Sequence, residues 1–369
     1  MGGVVGKGGY RHFMLKEIHE QATVIGDTLN SHFDPVARTL TLPPLPFDLA
    51  KIARVTLVAC GTSYYAAMVA RYWIERIAGV PVDLDIASEF LSRAPPLAKG
   101  GLAVFVSQSG ETTDTLAALR VCRDAGMHTV AVVNVAGSTM AREAEAVLPS
   151  RAGPEVSIAS TKAFTTQLVV LACLAVALGK ARGVLDRETE MSLSQALAEM
   201  PSRVAEVLKR DAAIRAIASD LRNAAHAFYV GRGSAYPIAL EGALKLKETS
   251  YIHAEGFAGG EMDHGPIAMI DETALVVAVA PPDGVFEKIA CNVRDMIAYG
   301  AKVLFIGDAA GVAEFQDTAF ATIALPTVPS FVSPILYAIP LQLLAYHIAA
   351  LKGADVDRPR NLAKSVTSE

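Results

Sequence analysis

An α/β fold made of two tandem, doubly wound parallel sheets related by an internal repeat is predicted by three observations. Short apolar runs of strand length alternate with longer segments whose apolar residues recur at helical spacing, which is the grammar of parallel strands covered on both faces. The alternation occurs twice along 369 residues, enough chain for two domains of about 100–200 residues each. The two passes superpose at one offset of 172 residues: Val58-Ala59-Cys60-Gly61-Thr62-Ser63 falls on Val230-Gly231-Arg232-Gly233-Ser234-Ala235, Glu89 on Glu261, and the run Leu102–Val106 on Ala274–Ala278.

Taken in order, residues 1–45 form an N-terminal segment, glycine-rich at its start, with one helix carried by Phe13, Leu15, Ile18, Val24 and Leu29. Pro43-Pro44-Leu45-Pro46 is a stiff connector. The first subdomain, 46–185, begins with a strand at Val55–Ala59 and a helix at Tyr64–Ile77, followed by strands at Val82–Ile86 and Leu102–Val106. A helix from Thr112 to Ala125, a strand at Thr129–Asn134, a helix after Ser138, a strand at Ala146–Leu148 and a long buried helix at Thr161–Leu178 complete it. Residues 186–222 are a helical connection with no strand signal. The second subdomain, 223–352, has strands at Ala227–Val230, Ala274–Ala278, Val303–Ile306 and Ala321–Leu325, a helix through Leu240–Glu248, another at Phe286–Tyr299, and an apolar helix at Phe331–Leu351. Between them the glycine-rich stretch Gly256–Gly265 reads as a loop, and 353–369 is a polar tail that closes the chain.

Charge and composition exclude several classes of partner. With 33 Lys and Arg against 38 Asp and Glu, and neither a basic run nor an acidic tail, no nucleic acid and no anionic membrane surface is expected. Cys60, Cys122, Cys173 and Cys291 lack metal-site or redox spacing and read mostly as buried, reduced thiols of a cytoplasmic protein. No Walker loop, no G-x-G-x-x-G and no metal-ligand spacing occurs, so neither metal nor cofactor is expected. Residues 1–7 lack the apolar core of a signal peptide, and the most apolar segment, Leu168–Gly179, falls short of the ~20 residues that span a bilayer.

Four stretches carry candidate chemistry. In Ser107-Gln108-Ser109-Gly110-Glu111-Thr112 a strand ends in three hydroxyls at a helix N-terminus, where free N–H groups and the helix dipole favour an anion. The same residues also suit an ordinary serine-rich N-cap. That no hydroxyl cluster stands at Val279-Ala280-Pro281-Pro282 in the second copy favours the phosphate cradle, because a cap needed only for folding would recur. Glu241, Lys245 and Glu248 share one helix face just past a strand terminus, either as a tuned general base or as an exposed Glu–Lys ladder, which is the commoner case. His253, Glu255, Glu261 and His264 follow in the glycine-rich segment. Finally, Glu155-Val156-Ser157-Ile158-Ala159-Ser160-Thr161-Lys162 either caps the long helix or lends groups to a sugar, and Lys364 by itself reads as a solvated surface charge.

Together these motifs resemble the sugar isomerase part of glucosamine-6-phosphate synthase, a tandem sugar isomerase (SIS) architecture with flavodoxin-like subdomains. The resemblance rests on Cys60-Gly61-Thr62-Ser63, Ser107–Thr112, Ser160-Thr161-Lys162-Ala163-Phe164, Glu241–Glu248, His253-Ala254-Glu255, His264-Gly265-Pro266 and Pro359-Arg360-Asn361-Leu362-Ala363-Lys364-Ser365-Val366-Thr367, and runs from about residue 10 to the end. It implies conversion of fructose 6-phosphate to glucosamine 6-phosphate with supplied ammonia, or to glucose 6-phosphate without it. It implies that Cys60, Gly61, Thr62, Ser63, Ser107, Gln108, Ser109 and Thr112 hold the phosphate, and that Ile158, Ser160 and Ala363 contact the sugar. Lys364 would form a Schiff base, Glu248 would move the proton between C1 and C2, Lys245 would assist, and His264, donated by the neighbouring subunit of a homodimer, would open the ring. Glu241 and Glu155 would stand behind these groups.

The sequence also departs from that family. Its full-length members begin with a glutaminase domain whose nucleophile is an N-terminal cysteine; here Gly2 follows Met1 and no cysteine precedes Cys60, so glutaminase activity is not expected and such a domain would be a missing partner. Asp263 precedes His264 where the family often has lysine. A stand-alone glucosamine-6-phosphate deaminase or deglycase of the same fold, and a sugar-phosphate-sensing module without catalysis, are the alternatives.

Overall fold

The structure, a computed structural model, describes residues 6–365. The first five residues of the glycine-rich start, and Val366 and Thr367 of the tail motif, lie outside the described residues. Helix α1 (Phe13–Asn30) leads into a small antiparallel pair, β1 (Phe33–Asp34) and β2 (Thr39–Leu40), that no pattern in the sequence announced. The first large sheet follows as β3 (Val55–Ala59), α2 (Gly61–Trp73), β4 (Val82–Ile86), α3 (Ala87–Arg93), β5 (Leu102–Ser107), α4 (Thr113–Asp124), β6 (His128–Val133), α5 (Thr139–Glu143) and β7 (Ala146–Pro149). Three helices come next: α6 (Lys162–Ala181), α7 (Arg187–Leu208) and α8 (Asp211–Leu221). The second sheet is β8 (His226–Gly231), α9 (Ala235–Ser250), β9 (His253–Ala258), β10 (Leu275–Ala280), α10 (Phe286–Ala298), β11 (Lys302–Asp308), α11 (Ala309–Phe315) and β12 (Ala321–Leu325), closed by α12 (Ser333–Leu351).

Strand order is β4-β3-β5-β6-β7 in one sheet and β9-β8-β10-β11-β12 in the other, parallel throughout, so the duplication legible in the sequence is a duplication of topology. The described residues form two compact units. The first-sheet unit holds residues 21–155, 162–201 and 363–365; the second-sheet unit holds 6–20, 156–161 and 202–362.

Every residue of β3, β5 and β10 is buried, as central strands covered on both faces require, and this is why they read as unbroken apolar runs. Phe90, Phe105 and Met140 pack with Val58 and Ala131 in the first core. Phe305, Phe315 and Met296 pack with Val230 and Ala278 in the second. Burying each such aromatic ring contributes about 1.5–3 kcal/mol. Helix α6, Lys162–Ala181, agrees with the long buried helix read at Thr161–Leu178 and extends three residues beyond it. Both α6 and α12 are long and apolar enough to cross a membrane, yet 94% and 89% of their apolar windows are buried inside the protein, which makes them core helices.

Two expectations are corrected. The segment read as a loop, Gly256–Gly265, begins inside β9, an edge strand pairing with β8 from His226↔His253 to Gly231↔Ala258, and continues as a short helix, Gly259–His264. Gly256 suggested a loop but serves close packing: a Cβ there would lie 2.8 Å from the Leu240 Cα of α9. The repeat held the missing signal, because β4 shifted by 172 residues falls on 254–258. The cysteines are also not all buried. Cys122 and Cys173 are, and burial pushes both thiols up to about 12, whereas Cys60 is half-buried and Cys291 faces solvent.

Gly242 marks the tightest helix contact of the second core. A Cβ at this position of α9 would stand 2.8 Å from Leu341 Cδ1 of α12 and 2.8 Å from Tyr229 Cε1 of β8. Gly242→Ala therefore lowers unfolding free energy by about 1–3 kcal/mol in urea titrations, although alanine is the better helix former; an unchanged or raised midpoint contradicts this packing.

Candidate active site

In the first-sheet unit the chain runs from β3 to β4 on one side and then to β5 on the other, so the order reverses between β3 and β5. Loops leaving the carboxyl ends of two strands diverge at such a reversal and leave a crevice between them. Cys60-Gly61-Thr62-Ser63 leaves β3 and Ser107–Thr112 leaves β5, which places the predicted phosphate residues at that point. Gly61, with φ +54°, opens α2 in a left-handed conformation that leaves the space over its backbone open.

The hydroxyl loop is held by its own side chains. Ser107 Oγ accepts the Gly110 N–H at 3.0 Å and lies 3.1 Å from Thr112 Oγ1; Ser109 Oγ accepts the Glu111 N–H at 3.1 Å. Thr112 occupies the N-cap position of α4 without a side-chain capping bond, so the simple N-cap reading fails at the residue best placed to cap. A hydroxyl that accepts a backbone N–H keeps its O–H for another acceptor, so the loop stays shaped and still offers donors to an anion. Glu111 Oε1 accepts the Thr139 N–H at 2.7 Å, and this backbone bond holds its carboxyl below the usual carboxylate range. Gly110, at φ +67°, admits no side chain, since a Cβ would stand 2.1 Å from Ser138 Oγ. Ser63 Oγ accepts from Gln167 Nε2 at 3.0 Å, and Cys60 Sγ lies 3.7 Å from Thr115 Oγ1.

The same unit contains Lys364. Its Nζ donates to Glu155 Oε2 at 2.7 Å, with the lysine side chain 27% exposed and the glutamate side chain fully buried. Glu155 Oε1 also accepts the Ala163 N–H at 3.1 Å, in the first turn of α6. The capping reading of this stretch therefore holds at Glu155, which also anchors the tail, a contact the sequence did not announce. Lys364 is not the solvated surface charge that its sequence context suggested, because 209 residues separate it from its partner and local sequence carries no sign of the pair. Ala363 beside it is exposed.

In the second-sheet unit, α9 leaves β8 and presents Glu241, Lys245 and Glu248 on one face. Lys245 Nζ donates to Glu248 Oε2 at 2.6 Å and lies 3.4 Å from Glu241 Oε1. Side-chain exposures of 1% for Lys245, 2% for Glu241 and 20% for Glu248 overturn the exposed-ladder reading. A surface ladder would be worth a few tenths of a kcal/mol. A buried ammonium needs its carboxylates, and the one left partly open, Glu248, is free to meet a substrate. His264 ends a single helical turn, Gly259–His264, and is exposed; its side chain makes no hydrogen bond or ion pair among the described residues. His253, also exposed, lies 3.5 Å from Glu255, and Glu261 is exposed.

Ile158 and Ser160 are half-buried in a segment that the sequence gave no means of placing. Glu17 accepts the Val156 and Ser157 N–H groups, and Asp357 O accepts the Ile158 N–H at 3.1 Å. Asp357 also caps α1 through the Phe13 and Met14 N–H groups at 2.9 and 2.8 Å. Arg360 donates its backbone N–H to Tyr251 Oη at 3.0 Å and lays its guanidinium 4.1 Å from that ring's centroid. Glu17, Asp357 and Tyr251 escaped the sequence because their partners are distant along the chain.

Comparison with known proteins agrees with this fold. The SIS domain family model matches residues 48–177 and 220–352. The glutamine–fructose-6-phosphate aminotransferase (isomerizing) of Bradyrhizobium diazoefficiens is 54% identical over 367 residues, which is 99% of this chain and 60% of that relative. The chain thus spans about 60% of the length of the curated relatives it matches. A solved C-terminal domain of glucosamine-fructose-6-phosphate aminotransferase from Francisella tularensis superposes with a TM-score of 0.92 at 39% identity, covering 96% of this chain and 100% of that one. Glucosamine-6-phosphate deaminase from Thermotoga maritima, with a TM-score of 0.76 at 24% identity over 96% of this chain and 99% of its own, shares the fold.

Because Lys245 is shared by two carboxylates, Lys245→Met is expected to lower unfolding free energy by about 3–5 kcal/mol. In a double-mutant cycle, Glu241→Gln added to that variant costs less than it does alone, giving a coupling of about 1 kcal/mol or more in urea denaturation. Additive losses would mean that the pair does not interact.

Proposed function

The chain belongs to the SIS domain family, and on that footing we propose that it is a ketose–aldose isomerising and aminating domain, converting fructose 6-phosphate to glucosamine 6-phosphate with supplied ammonia and to glucose 6-phosphate without it. The observation that carries this reading is the Glu241–Lys245–Glu248 triad, whose burial and 2.6 Å Lys245–Glu248 contact suit a positioned proton carrier.

Thr62, Ser63, Ser107, Ser109 and Thr112 hold the phosphate with their hydroxyls, with Gln108, Cys60 and Gly61 completing the cradle; Ile158, Ser160 and Ala363 contact the sugar. His264, donated by the second subunit of a homodimer, opens the ring. The Lys364 amine then attacks the C2 carbonyl carbon to form a C2=N Schiff base, the carbonyl oxygen leaving as water. An amine must be neutral to attack, and Glu155, 2.7 Å away, is the acceptor for the ammonium proton. Ammonia adds at C2 and displaces the lysine. Glu248 takes a proton from C1 and returns it to C2, with Lys245 holding the carboxylate and the hydroxyls, so that fructose 6-phosphate and ammonia give glucosamine 6-phosphate and water. A glutaminase unit supplies the ammonia in this reading, and the reaction belongs to the cytoplasm.

Incubating the chain with fructose 6-phosphate, with and without ammonium, is expected to yield the two aldose phosphates. Glu248→Gln lowers turnover at least about 10²-fold, as loss of a general base does. Borohydride reduction with fructose 6-phosphate followed by peptide mass spectrometry places the adduct on Lys364. No aldose product from the wild type, full activity in Glu248→Gln, or an adduct on another lysine contradicts the assignment. Ammonia release from glucosamine 6-phosphate far faster than its synthesis would reassign the domain to deamination.

A further inference from the structure

A second cluster of charged groups in the second-sheet unit has no role in that chemistry. A cleft of about 420 Å³ is lined by Arg11 and Leu15 at the start of α1, Asp211 and Arg215 on α8, and Tyr346 and His347 on α12. Its volume is in the range of small-molecule sites. His347, on an otherwise apolar helix, has a side chain only 7% exposed and pairs with Asp211 Oδ1; His19 Nε2 lies 3.3 Å from Asp211 Oδ2. Tyr346 Oη lies 2.9 Å from His12 Nδ1. The only carboxylate of the cleft is thus shared between two imidazoles. Although burial pushes its pKa up, the hydrogen bonds from His19 and His347 outweigh this and hold Asp211 well below the usual carboxylate range, so it stays ionised.

Arg11 and Arg215 have no such partner. Both are exposed, and neither guanidinium makes a hydrogen bond or ion pair among the described residues. Both line the cleft and bear on the Tyr346 hydroxyl, as do the Asp211 and Asp357 carboxylates, so two guanidinium groups border one small volume whose lining carboxylate is already engaged by two imidazoles. An anion seated between two guanidinium groups is attracted by both, and the paired N–H groups of arginine match the oxygens of a phosphate. Leu15, Ala350 and Leu351 supply an apolar wall beside them.

We propose that this cleft binds the phosphate group of a small phosphorylated metabolite, gripped by Arg11 and Arg215, with the body of the ligand against Leu15 and the end of α12. The site is separate from the hydroxyl loop of the first-sheet unit and does not rest on the proposed catalysis. Equilibrium dialysis of the full chain against radiolabelled inorganic phosphate tests it. Arg11→Ala/Arg215→Ala is expected to lose one bound phosphate per chain relative to wild type, each single substitution weakening that site about tenfold or more. Arg11→Lys/Arg215→Lys keeps the charge without the forks and binds between these limits. Ser109→Ala, in the hydroxyl loop, leaves the Arg11-dependent phosphate bound. Both arginines are exposed, so the variants keep the wild-type melting temperature, which the same samples verify. Equal phosphate saturation in wild type and in the folded double alanine variant overturns the proposal, as does loss of all bound phosphate in Ser109→Ala.

Discussion

Each sheet depends on one constraint: its strands are parallel, so consecutive strands need crossover helices, and both faces must be covered. When the chain begins in the middle of such a sheet and builds first one way and then the other, the order must reverse once. The crevice at that reversal is a by-product of the topology, free of secondary structure and flanked by helix N-termini. In the first sheet the reversal lies between β3 and β5, in the second between β8 and β10. Duplicating the fold therefore duplicated the crevice before any residue in it was chosen.

The two copies then filled that crevice differently. In the first, Ser107, Ser109 and Thr112 surround a glycine that no other residue can replace, because Ser138 occupies the space of its Cβ. In the second, the corresponding turn is Pro281-Pro282, which removes N–H donors, and the tight cluster of ionisable groups lies instead on α9, where Lys245 is buried between two carboxylates. Anion holding and proton transfer make opposite demands: one wants short donors on a rigid turn, the other a carboxylate with restricted access to water. Under the proposed function, two copies would let each demand be met without compromising the other.

Tethering is the other recurring theme. Asp357 caps α1 and takes the Ile158 N–H, Tyr251 holds Arg360, and Glu155 joins the first turn of α6 to Lys364. A C-terminal segment with little regular structure is thereby fixed by side chains. The proposed role of Lys364 would need such tethering, since a freely mobile ammonium would lose its attack geometry.

Much of this was legible in the residues. Apolar runs, their alternation with helical segments and the 172-residue offset determine two parallel sheets, because a strand buried on both faces is predominantly apolar. The hydroxyl loop and the spacing of Glu241, Lys245 and Glu248 were visible for the same local reason. Burial was not: the same i, i+4, i+7 pattern describes an exposed ladder, and only the packing of α9 against β8, β9 and α12 made it a buried triad. For β9 the local signal misled, since its glycine reads as a loop until α9 is seen pressed against it, although the 172-residue repeat pointed to a strand there. The partnerships of Lys364 with Glu155, of Asp357 with α1 and of Asp211 with two histidines were decided by tertiary structure alone, because a hydrogen bond acts over about 3 Å in space and leaves no trace in residues far apart along the chain.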